Sequence, residues 1–149
     1  MSAEAEKPSH TTLTREEGYR FRVRFDQAGM SELVTDEPPP LGTGQGPDPS
    51  RLLAAAIGSC LAASLLFCLG RAHLAVRGLE AAVEMTIGRN DQGRLRVQGV
   101  SVRLTPTVTP EVKARMGRCI EMFESFCTVR ESVRRGIDVR VSVEPEVAA

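Results

Sequence analysis

One apolar segment, LLAAAIGSCLAASLLFCLG over Leu52–Gly70, constrains the fold more than any other feature of the chain. The preceding pair Asp48-Pro49 favours a helix start, because Asp accepts hydrogen bonds from free backbone amides and Pro suits the first helical position. The segment is long enough to raise the question of a membrane span. Because it is rich in Ala and includes Gly58 and Ser59, we expect a helix buried in protein instead.

Shorter patterns before this helix predict a hairpin. Residues 1–17 are polar, carry no signal peptide, and are expected to form a flexible tail. YRFRVRF, residues 19–25, alternates apolar and basic side chains, which is typical of a half-buried strand. MSELVTD, residues 30–36, follows a DQAG turn and is predicted to pair with that strand.

The second half of the chain predicts a further hairpin, a helix and a strand. LEAAVEMTIG and GRLRVQGVSVRLTP are strands joined by the turn RNDQG. Thr109-Pro110 opens a second helix by the same capping logic. Its apolar stripe is expected to comprise Val112, Met116, Cys119 or Ile120, Phe123 and Cys127. GIDVRVSVEP alternates again and predicts a last strand, which starts near Ile137.

These elements predict an α+β fold, with a mainly antiparallel sheet packed on a long buried central helix and a second amphipathic helix. We expect one domain over residues 18–149. A single sheet cannot cover a helix that is apolar on most sides, so a second copy of the chain is the simplest cover. The sequence therefore predicts a homodimer.

Composition argues against several partners. The formal net charge is zero, which gives no indication of a broad basic surface, and one Tyr, five Phe and no Trp offer few base-stacking platforms. We therefore expect no nucleic-acid partner.

GTGQG, residues 42–46, lacks the Gly-Lys-Ser/Thr ending of a phosphate loop and is interpreted as a connector. With no export signal, we expect a cytoplasmic protein.

Four cysteines, Cys60, Cys68, Cys119 and Cys127, are the candidates for chemistry. Their spacing does not match a zinc site, and no His accompanies them. A Cys-His hydrolase would need His73, which follows Cys60 by 13 residues and cannot reach it along one helix. Taken alone, the pattern leaves open whether these cysteines are redox thiols or small core residues.

Two motifs in this chain resemble motifs of a known protein family. DPSRLLAAAIGSCLAAS and FESFCTVRESVRRGIDVRVSV together resemble the OsmC/Ohr family of thiol peroxidases, and the element order agrees over Tyr19 to Glu144. The resemblance implies an OsmC-like intertwined homodimer that reduces organic hydroperoxides in oxidative-stress defence. It makes Cys60 the peroxidatic cysteine and Cys127 the resolving one. No bound cofactor or metal is implied, and an external dithiol is the expected reductant.

The resemblance also implies a cation beside the reactive thiol. In the family this is an Arg near the N-terminal hairpin, held by a Glu after the helix-starting Pro. Here Ser50 follows Pro49, and the hairpin offers Arg20, Arg22 and Arg24. The alternative function is an OsmC-like dimer that binds a small apolar or thiol-containing ligand with little or no peroxidase turnover.

Overall fold

The computed structural model describes residues 7–148. Within them the chain forms five strands, four α-helices and one 3₁₀ turn. In chain order these are β1 (Thr11–Glu17), β2 (Arg20–Phe25), β3 (Leu33–Thr35), α1 (Pro49–Arg71), β4 (Gly78–Arg89), β5 (Leu95–Thr107), α2 (Pro110–Arg115), α3 (Gly117–Met122), the 3₁₀ turn (Phe123–Phe126) and α4 (Thr128–Arg135). The α+β class is therefore confirmed.

The chain divides into two compact units. One contains residues up to 55 together with 85–100, and the other contains residues 56–84 and 101–149. The single domain expected over residues 18–149 stays a prediction.

The first unit holds a three-stranded antiparallel sheet in the order β1-β2-β3. The predicted pairing of the strand over residues 19–25 with the segment after its turn is confirmed, with Phe21 opposite Thr35. The tail predicted over residues 1–17 differs from the structure at Thr11–Glu17, where β1 pairs with β2. Its Thr-rich start suits an extended backbone, and Gly18 supplies the positive φ of 53° that the tight turn needs. Residues 1–6 of that predicted tail lie outside the described residues.

Helix α1 begins where the sequence predicts. The Asp48 carboxylate accepts a hydrogen bond of 2.9 Å from the backbone amide of Arg51 and one of 2.8 Å from the Ser50 hydroxyl. The buried side chains recur every three or four residues, as expected for one face of a helix. They belong to Ile57, Leu61, Ser64, Leu65 and Leu69.

The other side of α1 carries exposed apolar residues. Leu66 is 44% exposed and Phe67 is 59% exposed. Among the described residues, α1 is the one helix long and apolar enough to cross a membrane, a test that the core helix of a soluble protein also passes. The described part of one chain therefore covers the apolar surface of α1 only in part.

Strands β4 and β5 form the predicted antiparallel hairpin. Its two ends are closed by backbone hydrogen bonds, from Arg77 to Thr107 and from Asn90 to Arg94. A Cβ atom added at Gly58 would lie 2.7 Å from Cγ2 of Val83 on β4. Glycine at this position therefore allows the hairpin to approach α1 closely.

The prediction of a single second helix from Thr109 onward is wrong. The chain breaks after α2 and again at the 3₁₀ turn, and α4 follows as a separate helix. Cys127 consequently lies at the start of α4, not at the end of one long stripe. The predicted burial does hold for Met116, Cys119 and Cys127, whereas Ile120 is 55% exposed.

The predicted last strand is not formed in the described chain. Residues 136–148 have no regular structure, and Ile137, Val139, Val141 and Val143 are 63–84% exposed. A strand needs a neighbouring edge to satisfy its amides and carbonyls. The alternation is present in the sequence, but no strand within residues 7–148 pairs with this segment.

Candidate functional site

The structure arranges the four cysteines as two pairs within the second unit. Cys60 on α1 lies in hydrogen-bond contact with Cys127, and Cys68 on α1 lies beside Cys119 on α3. All four are free thiols. The eight-residue spacing recurs in both halves of the chain, and the first cysteine of each spacing lies beside the second cysteine of the other.

Cys127 caps helix α4. Its backbone is extended, with φ −79° and ψ 105°, and its Sγ accepts a hydrogen bond of 3.3 Å from the backbone amide of Arg130. Ser64, one turn after Cys60 on α1, contacts the Cys127 thiol and donates a 2.9 Å hydrogen bond to the Cys60 carbonyl. The two sulfur atoms therefore meet where the free amides of a helix N-terminus are concentrated.

The Cys60 thiol is the more acidic member of this pair. Partial burial raises the pKa of Cys60, but hydrogen bonds from the Cys127 thiol and from the backbone amides of Val129, Arg130 and Thr128 outweigh that effect. The net pKa of Cys60 lies below the ordinary thiol range. Amides at a helix N-terminus stabilise a thiolate in this way.

Cys127 is shifted in the opposite direction. Burial raises its pKa, and the hydrogen bond with Cys60 and the charge of that neighbour raise it further. Its side chain is only 1% exposed. One member of the pair is thus favoured as a thiolate while the other keeps its proton, since two adjacent negative charges would repel.

Charged side chains near the site are paired with one another. The Arg130 guanidinium forms ion pairs with Glu131 and, at 2.8 Å, with Glu124. The groups that lower the pKa of Cys60 include the Cys127 thiol and the backbone amides of Val129, Arg130 and Thr128. The site therefore stabilises a thiolate with dipoles.

The hairpin arginines have carboxylate partners in the first unit. Arg20 contacts Glu16 and Glu17, Arg22 contacts Glu16, and Arg24 contacts Glu32 at 2.9 Å. Ser50, which stands where the family carries Glu, donates its hydroxyl to Asp48.

Sequence reasoning selected Cys60 and Cys127 but missed the groups between them. The α4 amides were missed because Cys is an unusual helix-capping residue. Ser64 had a weak signal, since it lies four residues after Cys60 in an otherwise apolar helix. Over residues 7–148, no group of three or more His, Cys, Asp or Glu side chains is placed to hold a metal ion. His73 is exposed just beyond α1.

Comparisons with known proteins agree on one family. A family model described as OsmC-like protein matches residues 42–142. A search of curated protein sequences found no match.

Solved structures extend the comparison to the fold. An OsmC-like protein from Mycoplasma pneumoniae has a TM-score of 0.73 at 15% identity, covering 87% of this chain and 89% of that one. An organic hydroperoxide resistance protein from Elizabethkingia anophelis, with thiocyanate bound, has a TM-score of 0.64 at 22% identity, covering 89% and 91%. A putative organic hydroperoxide resistance protein from Vibrio cholerae, with captopril in one active site, has a TM-score of 0.64 at 21% identity, covering 93% and 92%.

Proposed function

This chain belongs to the OsmC-like protein family, and we propose that it is a thiol-dependent peroxidase that reduces organic hydroperoxides in oxidative-stress defence. One observation carries the proposal, which is the contact between an acidic Cys60 thiol and a protonated Cys127 thiol at the start of α4. Thiolates are the nucleophiles in cysteine chemistry, so a lowered pKa makes Cys60 the attacking group. The catalytic residues are therefore Cys60 and Cys127.

The first step oxidises Cys60. Its thiolate attacks the terminal oxygen of the hydroperoxide, the O–O bond breaks, and the alkoxide leaves and takes a proton from water to become an alcohol. The peroxide gains two electrons and Cys60 becomes a sulfenic acid. The amides of Thr128, Val129 and Arg130 prepare this step, because they stabilise the thiolate without an ion pair.

The second step forms a disulfide. The Cys127 sulfur attacks the sulfenic sulfur of Cys60, water leaves, and the S–S bond forms. Oxidation removes the negative charge of Cys60, so one of the causes that held the Cys127 pKa high disappears at that moment. An external dithiol then restores both thiols by exchange, and no bound cofactor is required. A dithiol reductant fits a cytoplasmic protein.

The apolar surroundings of Cys60 favour an organic substrate. Ile57 and Leu61, its neighbours on α1, are 4% and 7% exposed. Apolar side chains beside the reactive thiol would contribute binding energy to an alkyl or aryl group, which hydrogen peroxide lacks. Two structurally similar proteins are named for organic hydroperoxide resistance, which supports the same class.

A homodimer accounts for apolar surface that one chain leaves open. Leu66 and Phe67 are exposed on α1, and the alternating C-terminal segment pairs with no strand in the part of the chain that the structure describes. Contiguous exposed apolar surface marks an interface. We expect sedimentation equilibrium of the reduced chain at micromolar concentration to give twice the monomer mass. A monomer mass over that range would contradict this assembly.

The peroxidase proposal is tested by locating the disulfide. The reduced chain is treated with one equivalent of cumene hydroperoxide, the remaining thiols are alkylated, and the cross-linked peptides are mapped by mass spectrometry. We expect a Cys60–Cys127 bond that is absent in Cys60→Ser and in Cys127→Ser, with a trapped sulfenic acid on Cys60 in the latter. Thiols that stay free, or that oxidise slowly and unselectively, would rule out the two-cysteine mechanism.

That negative result would favour the alternative function, a dimer that binds a small apolar or thiol-containing ligand. The Vibrio cholerae protein holds captopril, which is a thiol, in one active site. A thiol ligand would interact with the same amides that stabilise Cys60. The two functions differ in one respect, because only a peroxidase consumes hydroperoxide in proportion to the disulfide formed.

A further inference from the structure

The second cysteine pair has no role in the proposed mechanism. The Sγ atoms of Cys68 and Cys119 lie 2.6 Å apart, closer than two unbonded sulfur atoms normally approach, although 51 residues separate them in the chain. Both lie in or against the core cluster of the second unit. That cluster comprises Leu65, Leu69, Leu74, Met116 and Cys119.

We propose that Cys68 and Cys119 form a second intramolecular disulfide when the protein is oxidised, independently of Cys60 and Cys127. A disulfide bond is about 2.05 Å long. The two sulfur atoms are therefore within about 0.6 Å of bonding distance. This proximity across the fold distinguishes them from cysteines that merely fill a core.

The two thiols have unequal reactivity. Burial, together with the hydrogen bond to Cys68, raises the pKa of Cys119 to about 11, so Cys119 holds its proton at neutral pH. Its side chain is 5% exposed, whereas Cys68 is partly exposed. Cys68 is therefore the sulfur that an oxidant reaches first.

The reaction needs a two-electron oxidant, and a hydroperoxide supplies it. Cys68 in its thiolate form attacks the O–O bond and becomes a sulfenic acid, while the peroxide leaves as an alcohol after taking up a proton. The Cys119 sulfur then attacks the sulfenic sulfur, and water leaves as the S–S bond forms. In total, the two thiols lose two electrons and two protons, and the hydroperoxide becomes an alcohol and water.

The two pairs do not exchange directly. Cys60 and Cys68 are eight residues apart on α1, which is about 12 Å along the helix axis. Thiol–disulfide exchange requires the attacking sulfur to reach the bonded one. The second bond therefore forms from an external oxidant, and it joins α1 to α3 inside the core.

The expected consequence is a more stable oxidised protein. The bond would close a loop of about 50 residues, which restricts the unfolded chain, so we expect the Tm to rise by about 10 °C on oxidation. This stabilisation would act at the elements that present Cys60 and, through the 3₁₀ turn, Cys127. Oxidation would thereby fix the scaffold of the redox site.

The test must separate the two pairings. Trypsin releases residues 52–71 and 119–130, and each of these peptides contains one cysteine from each pair. Either disulfide would join the same two tryptic peptides. Cleavage after Glu121 and Glu124 by a Glu-specific protease, combined with chymotrypsin within residues 61–67, places the four cysteines on four separate peptides.

The decisive variant is the double mutant Cys60→Ser/Cys127→Ser, which retains only Cys68 and Cys119. Diamide is the probe, because it oxidises dithiols without a peroxidase mechanism. We expect one equivalent to remove both thiols, to yield a Cys68–Cys119 cross-link within a chain that keeps its single-chain mass under denaturing conditions, and to raise the Tm by about 10 °C. The intact chain, digested with the two proteases, provides the same linkage if the double mutant does not fold.

Two results would overturn the proposal. One is that both thiols remain alkylatable after diamide treatment in the double mutant and in the intact chain. The other is that oxidation yields only cross-links between chains. Because diamide bypasses hydroperoxide chemistry, a Cys68–Cys119 bond would stand even if Cys60 proved unreactive toward peroxides, and its absence would not affect the peroxidase proposal.

Discussion

Cys60→Ser should lower the rate of cumene hydroperoxide reduction by about 10³-fold or more, because a hydroxyl at this position cannot provide the thiolate that attacks the O–O bond. The amides that lower the pKa of Cys60 stabilise an ionised sulfur, and a serine hydroxyl remains protonated beside them. The measurement is hydroperoxide consumption in the presence of excess dithiothreitol.

Cys127→Ser provides the matched comparison. It leaves Cys60 in place, so the first equivalent of hydroperoxide should disappear quickly before turnover stops at the sulfenic acid. Cys68→Ser is the control for cysteine removal as such, since Cys68 contacts Cys119 and not the Cys60 pair, and its rate should equal that of the unmodified chain. Equal rates in Cys60→Ser and Cys68→Ser would remove Cys60 from the mechanism.

Local signals predicted most of the elements around this site. Asp48-Pro49 located the start of α1, and Asp48 does cap it. Turn residues separated β4 from β5 where the hairpin forms. These features depend on a few neighbouring residues, and the sequence shows such residues directly.

Features that depend on distant parts of the chain were not predicted. The apolar stripe from Val112 to Cys127 read as one helix, because Gly117 is tolerated inside a helical pattern and nothing local marks the break. The meeting of Cys68 and Cys119 depends on how α3 packs against α1. The C-terminal alternation predicts a strand that the structure does not form, because pairing requires an edge and no strand of the described residues provides one.

The activation of Cys60 was also beyond local reasoning. The family pattern predicted an Arg, whereas the structure places helix amides and the Cys127 thiol against the sulfur. Every residue except proline has a backbone amide N–H, so no residue type in the sequence indicates which amides will lie beside Cys60. Only the position of α4 shows that these amides face Cys60.

Removal of one amide should therefore weaken the site without removing any side chain that it uses. Thr128 is the first residue of α4, a position that accepts proline because its amide makes no helical hydrogen bond. The extended backbone of Cys127 suits a residue that precedes proline. Thr128→Pro thus deletes one hydrogen-bond donor to Cys60 and keeps the helix, and Thr128→Ala is the control that retains the amide.

We expect Thr128→Pro to raise the pKa of Cys60, because the thiolate loses one backbone hydrogen bond that stabilises its charge. Below its pKa Cys60 is protonated and reacts slowly, whereas above it the thiolate reacts at its full rate. A raised pKa therefore moves the loss of reactivity to higher pH, and the rate at a fixed pH below the midpoint falls with the thiolate fraction.

The measurement is the pH dependence of iodoacetamide alkylation, followed on the peptide that spans residues 52–71 in a Cys68→Ser background, where Cys60 is its only thiol. Thr128→Ala should keep the original midpoint, since the exposed Thr128 side chain is not among the groups that act on Cys60. A common midpoint for the Pro and Ala variants would show that the α4 amides do not stabilise the thiolate. Because iodoacetamide reports the thiolate in any thiol protein, the result measures activation of Cys60 separately from peroxide turnover.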